Sequence, residues 1–526
     1  MDLKNKHLVH LAEGLLWVGV MIFFTKAGPN GIIYTAGTLE IFYAVYRFFL
    51  GYLPDAVSRT ARGKRNKERP GYGAAAVKGS FLYGFIASLL CMLVLFLLSK
   101  LCDSLSISYM GQLLRIYLWI TPFGALLQVL RGILQTETGK TRTGISKIIV
   151  SVGTVIGTFA GVLILYPYGE KVGDFLQHAE VLYFYLALSV LPGILLGILA
   201  ACIYLLALII MHRYDFECLH GGADPKLPGA VRMAGILYSQ VGIDSVVILL
   251  SRLPYVLLFF LTITGSEEEQ VLFGAFYGVI LPLIMIVRFA LDLGLTSIER
   301  GMVSALRKRQ LEYYYRYYIG AMKFILLSSA AAAVLFAALR KPYLALWQLQ
   351  TNDSVMSLAL GCAFLFFFSL PYQFSLDLMK LKGRELIIMA AMLIGNLGVV
   401  LRSVVFCGEA GIAVSVFVQS ILIFYIVTAV IMIFGIEREI GTSPLTYLPQ
   451  IWLPLLITCL IGLLMYGLQM LLFTALGGFA TGLLGLFFGV ALHFVCVGMT
   501  GTYSREELRI VPLGRVIARF RGIKAL

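Results

Sequence analysis

Long apolar runs cut by short polar segments set the rhythm of this chain from end to end. A helix needs about 20 mostly apolar residues to cross a bilayer. On that criterion the pattern predicts about fourteen spans, at roughly 8–25, 35–56, 77–99, 113–135, 145–166, 180–211, 231–263, 271–298, 318–339, 354–379, 386–407, 411–436, 449–473 and 476–499. Several carry a proline (Pro122, Pro192, Pro254, Pro282, Pro371), which a membrane helix tolerates when its neighbours re-satisfy the freed carbonyls. The opening segment MDLKNKHLVHLAEGLLWVGVMIFFTK begins basic, but Glu13 interrupts its apolar run and no small-residue cleavage site follows. It reads as a retained first span.

The placement of Lys and Arg tests these cuts independently, because basic residues concentrate in loops on the cytoplasmic side. Of the 42 Lys and Arg, five fall in the loops of one side (Lys26, Lys100, Lys171, Arg340, Lys341) and five inside spans (Arg47, Arg115, Arg252, Arg288, Arg402). The remaining 32 fall on the other side, which makes the number of spans even and both termini cytoplasmic. A missed or added span would have scrambled this bias.

The chain also repeats itself. A shift of 241 residues lays RFFLGYLPDAVSR (Arg47 to Arg59) on RFALDLGLTSIER (Arg288 to Arg300), matching both arginines, the first Phe and the first Leu, with a basic run after each. Likewise Pro122 to Arg131 has the spacing of Pro371 to Lys380, each followed by a Gly-basic pair. The offset is an even number of spans, so the two units share one orientation and are related by an axis along the membrane normal. The expected division is a first lobe over 1–212, a linker over 213–230, a second lobe over 231–437, two further spans over 438–500 and a basic cytoplasmic tail over 501–526.

Composition agrees with the pattern. The 526 residues are 60% hydrophobic and 13% charged, with mean hydropathy +0.89, against about 45–50% apolar and 25% charged in soluble domains. The net charge of +14 is the inner-loop excess expected of a membrane protein facing anionic headgroups, so nucleic acid is excluded as a partner. Eight scattered cysteines lack CxxC or Cys/His spacing and read as packing residues. No nucleophile–base pair, nucleotide-binding glycine loop or metal constellation is present. Neither an enzyme nor a cofactor is expected.

Charges inside spans are the candidate chemistry, since each costs roughly 2.5–3.5 kcal/mol at mid-bilayer and needs a partner, a wet cavity or a use. Arg47, near the middle of span 2, has two readings: an ion pair with Glu40 or Glu13, or an arginine lining a cavity. Arg288 has Asp292 at i+4 as a structural partner, and it is also the repeat mate of Arg47. Two arginines related by the pseudo-twofold would face one cavity, which makes sense only if something anionic visits. In span 7, Asp244 and Arg252 lie about 80° apart around the helix, so they pair, or Asp244 is a cation or proton site. Arg115, Arg131, Asp377 and Arg402, near span ends, read as structural. His7, His10 and His493 read as interfacial or packed, Tyr313 to Tyr318 as an interfacial belt, and Glu267 to Glu269 as a solvated outer loop. The tail, alternating basic and apolar residues, either lies on the membrane surface or is solvated.

Three stretches resemble the multidrug/oligosaccharidyl-lipid/polysaccharide flippase superfamily, in the branch of stage V sporulation protein B-like proteins and lipid II flippases. Gly51, Ala56, Val57, Ser58 and Arg59 resemble that branch's ending of helix 2. Arg131, Gly132, Gln135, Ile145 and Ser146 resemble its motif at the end of helix 4, and SREELRIVPLGRVIARF resembles the tail of many members. At the outer end of span 1, VGVMIFFTKAG holds only Lys26 where lipid II flippases carry an arginine-containing patch. The resemblance therefore extends to the superfamily and not to lipid II as the cargo.

The resemblance implies an all-α polytopic membrane protein of about fourteen helices, two parallel six-helix lobes of the MATE type plus two C-terminal helices. It implies a monomeric secondary transporter in the bacterial cell membrane, flipping an undecaprenyl-pyrophosphate-linked saccharide from inner to outer leaflet. Arg47, Arg288 and Arg252 are the candidate phosphate holders, and Glu13, Glu40 and Asp244 the candidate sites for a coupling monovalent cation or proton. The alternatives are a cation-coupled multidrug exporter, which predicts an acidic aromatic cavity with unpaired carboxylates, and a membrane-embedded glycan-modifying enzyme.

Overall fold

A computed structural model of the chain describes residues 11–12, 14–15, 28–62, 72–105, 108–138, 140–178, 180–211, 228–263, 267–345, 349, 352–405, 414–512 and 514–520. Among these there is no strand. Twelve helices are long and apolar enough to cross a membrane, and they match expected spans 3 to 14 in order. Span 1 lies almost wholly outside the described residues.

The chain divides into two compact units, Met1–Thr264 and Gly265–Leu526. The first contains α1 (Gly28–Leu50), α2 (Leu53–Arg62), α3 (Tyr72–Ser104), α4 (Ser108–Tyr117), α5 (Thr121–Thr138), α6 (Lys140–Leu176), α7 (Glu180–Leu188), α8 (Val190–Met211) and α9 (Ala230–Ile263). The second contains α10 (Glu267–Ala275), α11 (Leu281–Arg307), α12 (Leu311–Ala345), α13 (Asp353–Leu381), α14 (Glu385–Val405), α15 (Val414–Ile440), α16 (Leu448–Met499), α17 (Arg505–Ile510) and α18 (Gly514–Phe520). Span 7, which the repeat assigns to the second half of the sequence, is α9 and packs within the first unit.

Helix irregularities fall where the sequence weakens the backbone ladder. Span 2 breaks at Gly51-Tyr52 into apolar α1 and α2, whose Asp55, Arg59 and Arg62 make it strongly two-faced. A single π turn, Phe276–Ile280, joins α10 to α11 just before Pro282, which has no N–H for a regular ladder. Within α16, Gly477 takes φ +75°, a conformation that disfavours any side chain, and so ends one span and starts the next.

Lipid offers little hydrophobic drive between helices, so close packing must supply it. In the first unit α6 and α8 meet backbone to backbone. A Cβ on Gly153 or Gly157 would lie 2.5 Å from the Cα of Gly197 or Gly193, and one on Gly161 would lie 2.5 Å from the Ser189 carbonyl oxygen. In the second unit Leu335 and Leu339 of α12 fill the notches at Gly489 and Gly485 of α16, beside a buried cluster with Ile461 and Met465. Phe85, Leu163, Ile203, Leu463 and Phe487 are 62–70% exposed, an apolar exterior suited to lipid. Cys91, Cys102, Cys202 and Cys362 are buried and free, as packing residues should be.

Two readings change. Glu267 to Glu269 open α10 rather than forming a loop, and Glu269 is buried. The tail is neither flat on the membrane by its apolar face nor merely solvated, because Leu508, Val511, Ile517 and Ala518 are buried in the protein.

Candidate functional site

In the first unit, α9 runs antiparallel to α1 and α2, and its partners fall in reverse order along it. The Phe259 ring occupies the notch at Gly37, where a Cβ would lie 2.1 Å from the ring. Next, the Arg252 guanidinium donates to Glu40 Oε1 at 3.1 Å and Oε2 at 3.2 Å, with the two side chains 20% and 10% exposed. Arg59 donates to Asp244 Oδ2 at 3.1 Å, and the Thr60 hydroxyl donates to Gln240 Oε1 at 2.9 Å. Two expected pairings are thereby replaced. Asp244 and Arg252 do not pair with each other, since eight residues of helix separate them by about 12 Å of rise. Glu40 is taken by Arg252 and not by Arg47, which lies about 10 Å further along the helix.

Arg47 itself is exposed on a helix whose Leu39, Ile41, Phe42, Ala44, Tyr46 and Leu50 are all buried. Its Cζ lies 5.7 Å from the centroid of the Tyr43 ring, one turn back, in a cation–π contact. Glu13, its other expected partner, lies outside the described residues.

In the second unit, Arg288 on α11 is only partly exposed, and its Nε is buried with no hydrogen-bond partner. Among the described residues it forms no ion pair with Asp292, although Asp292 is one turn away and buried. The order of charges explains this, since a cation N-terminal to its anion at i,i+4 is the weaker arrangement on a helix. The contact it does make is with the Phe289 ring, 5.0 Å from Cζ to centroid.

Beside Arg288 the same helix borders a groove of about 430 Å³, with Val287 and Leu291 among its lining. Phe336 and Tyr343 of α12, Phe366 of α13 and Leu486 of α16 close its other sides. The Tyr343 hydroxyl is taken up by the Val279 carbonyl at 2.9 Å, and His493 shares a hydrogen bond with Thr458 at 3.0 Å. His493 is thus packed, as expected, and the groove is apolar.

The charges near span ends have local partners. Arg115 pairs with Asp103, Arg131 Nε donates to Ser146 Oγ at 2.9 Å, Arg402 donates to Gln419, and Gln373 donates to Asp377 at 2.9 Å. Two buried charges escaped the sequence reading. Lys323 of α12, 2% exposed, is held by Glu507 of the tail, and Glu437 of α15, also 2% exposed, accepts hydrogen bonds from Tyr447 at 2.7 Å and Tyr318 at 3.3 Å. The spacing Ser504-x-x-Glu507 could have placed a helix start in the tail. No sequence signal pairs Glu507 with Lys323, 184 positions away. Among the described residues no group of three or more His, Cys, Asp or Glu could hold a metal ion.

These features define an all-α polytopic membrane protein in which Arg252 of the first unit is ion-paired with Glu40, while Arg288 of the second has no ionic partner among the described residues. No protein-family model and no curated protein matches the sequence. Solved structures do match. An inward-facing multidrug resistance MATE family transporter of the MOP superfamily is 13% identical, over 83% of this chain and 98% of that one, with a TM-score of 0.67. The lipid II flippase MurJ, in an inward closed conformation, is 14% identical over 94% of this chain and 98% of that one, at 0.60. The eukaryotic MATE transporter AtDTX14 is 12% identical over 82% and 95%, at 0.54. The chain has the fold of these MATE and lipid II transporters, the fold that the sequence resemblance implied.

Proposed function

We propose that this chain is a secondary transporter that flips an anionic lipid-linked saccharide from the inner to the outer leaflet of a bacterial cell membrane, with both termini cytoplasmic. The observation that carries this reading is the pairing, on one helix, of an arginine lacking an ionic partner with an apolar groove: Arg288 Nε is buried without an acceptor while Val287 and Leu291 line the groove. A substrate that is phosphate at one end and hydrocarbon at the other satisfies both. A cationic drug would instead call for an unpaired carboxylate: Glu40 and Asp244 are both held by arginines, while the buried Glu437 accepts hydrogen bonds from two tyrosines.

In this mechanism Arg288 holds the pyrophosphate by charge-assisted hydrogen bonds. Moving about two negative charges outward down an inside-negative potential of 100 mV releases roughly 4–5 kcal/mol. Arg252 is bound to Glu40, so it reaches a phosphate only when a proton or monovalent cation neutralises Glu40. That exchange couples the ion to the resetting of the carrier.

The test is depletion followed by identification of the lipid-linked intermediate that accumulates on the inner leaflet. Arg288→Ala should reproduce the accumulation while the protein remains in the membrane, and Arg288→Lys should restore part of the flux. If depletion leaves every lipid-linked saccharide unchanged and raises sensitivity to cationic drugs, the multidrug exporter suggested by the MATE likeness takes its place.

A further inference from the structure

The tail after span 14 is anchored by one buried ion pair. Lys323 Nζ donates to both carboxylate oxygens of Glu507, at 2.7 and 2.9 Å, and to the Thr502 carbonyl at 3.2 Å. Glu507 also closes a capping box on α17: its backbone N–H donates to Ser504 Oγ at 3.2 Å, and the Ser504 N–H donates back to its carboxylate at 2.7 Å. The neighbouring acid, Glu506, pairs with Arg316. Both carboxylates of the tail are therefore neutralised by cations of α12.

The apolar side of the tail is committed as well. Val511 lies against Gly320 and Pro512 against Gly294, where a Cβ would be 3.5 and 3.4 Å away. Leu508, Ile517 and Ala518 are each about 1% exposed. With its apolar residues inside the protein, the tail turns Arg505, Arg509, Arg515 and Arg519 outward.

Between the tail and the ends of α11 and α12 lies a second cavity, of about 430 Å³. Its polar lining consists of Ser297, Tyr317, Arg509 and Arg515, and no acidic residue borders it. Among the described residues none of these four side chains has a hydrogen-bond or ion-pair partner. The residues bordering this volume bring two arginines, a tyrosine and a serine, all able to donate hydrogen bonds, and no carboxylate to compete for them. Guanidiniums match the oxygens of a phosphate group with paired, charge-assisted hydrogen bonds. Of the neighbouring tyrosines of α12, expected as an interfacial belt, Tyr313 is exposed, whereas Tyr314 and Tyr318 are buried inside the protein.

We propose that this pocket binds a phosphate group, carried by an anionic phospholipid headgroup or by a free phosphate, at the membrane face where the tail docks. The site is separate from the groove beside Arg288, since the two share no lining residue. A bound headgroup bridges the tail to α11 through Arg509, Arg515 and Ser297, and so ties the lower part of the helix that carries Arg288 to the lipid around it.

The experiment uses the full chain in nanodiscs of phosphatidylcholine with and without phosphatidylglycerol, then native mass spectrometry of the lipid that survives extraction. The wild type should retain phosphatidylglycerol. Arg509→Gln with Arg515→Gln should retain it at least about tenfold less, while Arg505→Gln with Arg519→Gln, which removes the same charge from the tail outside the pocket, should behave as the wild type. If inorganic phosphate displaces the lipid and itself protects residues 502–519 from hydrogen exchange, free phosphate is the ligand. Equal loss from both double variants would reduce the effect to general charge attraction and overturn the proposal. So would unchanged retention in the Arg509/Arg515 variant.

Discussion

Two sets of charge, one in each unit, are treated differently. In the first unit, α9 is joined to α1 and α2 by Arg252–Glu40 and Arg59–Asp244, each a carboxylate meeting a guanidinium at 3.1 Å. In the second, Arg288 sits against Phe289 with its Nε unsatisfied and an apolar groove beside it. A charge in lipid that is paired does structural work, and removing one member leaves the other stranded. A charge that lacks an ionic partner costs stability in the resting protein, which makes it a candidate for a ligand's counter-charge.

The contrast can be broken by thermal unfolding in detergent. Glu40→Ala strands Arg252 and should lower stability by roughly 3–5 kcal/mol, with recovery in the double variant that also carries Arg252→Met. No recovery in the double variant would mean that Glu40 acts through something other than the pair. Asp244→Asn should cost less than about 1 kcal/mol, because Arg59 is 56% exposed and solvent screens the interaction. Arg288→Leu should leave the unfolding midpoint unchanged or raise it, while abolishing transport. A marked drop in the midpoint would place Arg288 among the structural charges and remove the distinction between the units.

Much of the architecture was readable in the sequence. Apolar runs marked the twelve membrane-length helices among the described residues, and Pro282 falls beside the π turn. These are local consequences of hydropathy and backbone chemistry. Partner choice was less accessible. Sequence spacing proposed Arg47 with Glu40, Asp244 with Arg252 and Arg288 with Asp292, all within one helix. The structure instead joins Arg252 to Glu40 across 212 positions and Arg59 to Asp244 across 185. Neighbours on a single helix are restricted to three or four residues by its rise, whereas helices brought together by packing can meet anywhere along their length.

The tail shows the same division. Its alternation of basic and apolar residues was visible, and the Ser504-x-x-Glu507 spacing held a helix start that the reading of the sequence missed. Its destination was not visible, because Lys323, Gly294 and Gly320 accept it only once α11 and α12 stand side by side. The sequence by itself determined the solvent and the helices, since both follow from hydropathy counted along the chain. The tertiary structure decided which charges are paired and left Arg288 without an ionic partner, because that depends on which faces of distant helices come within about 3 Å of each other.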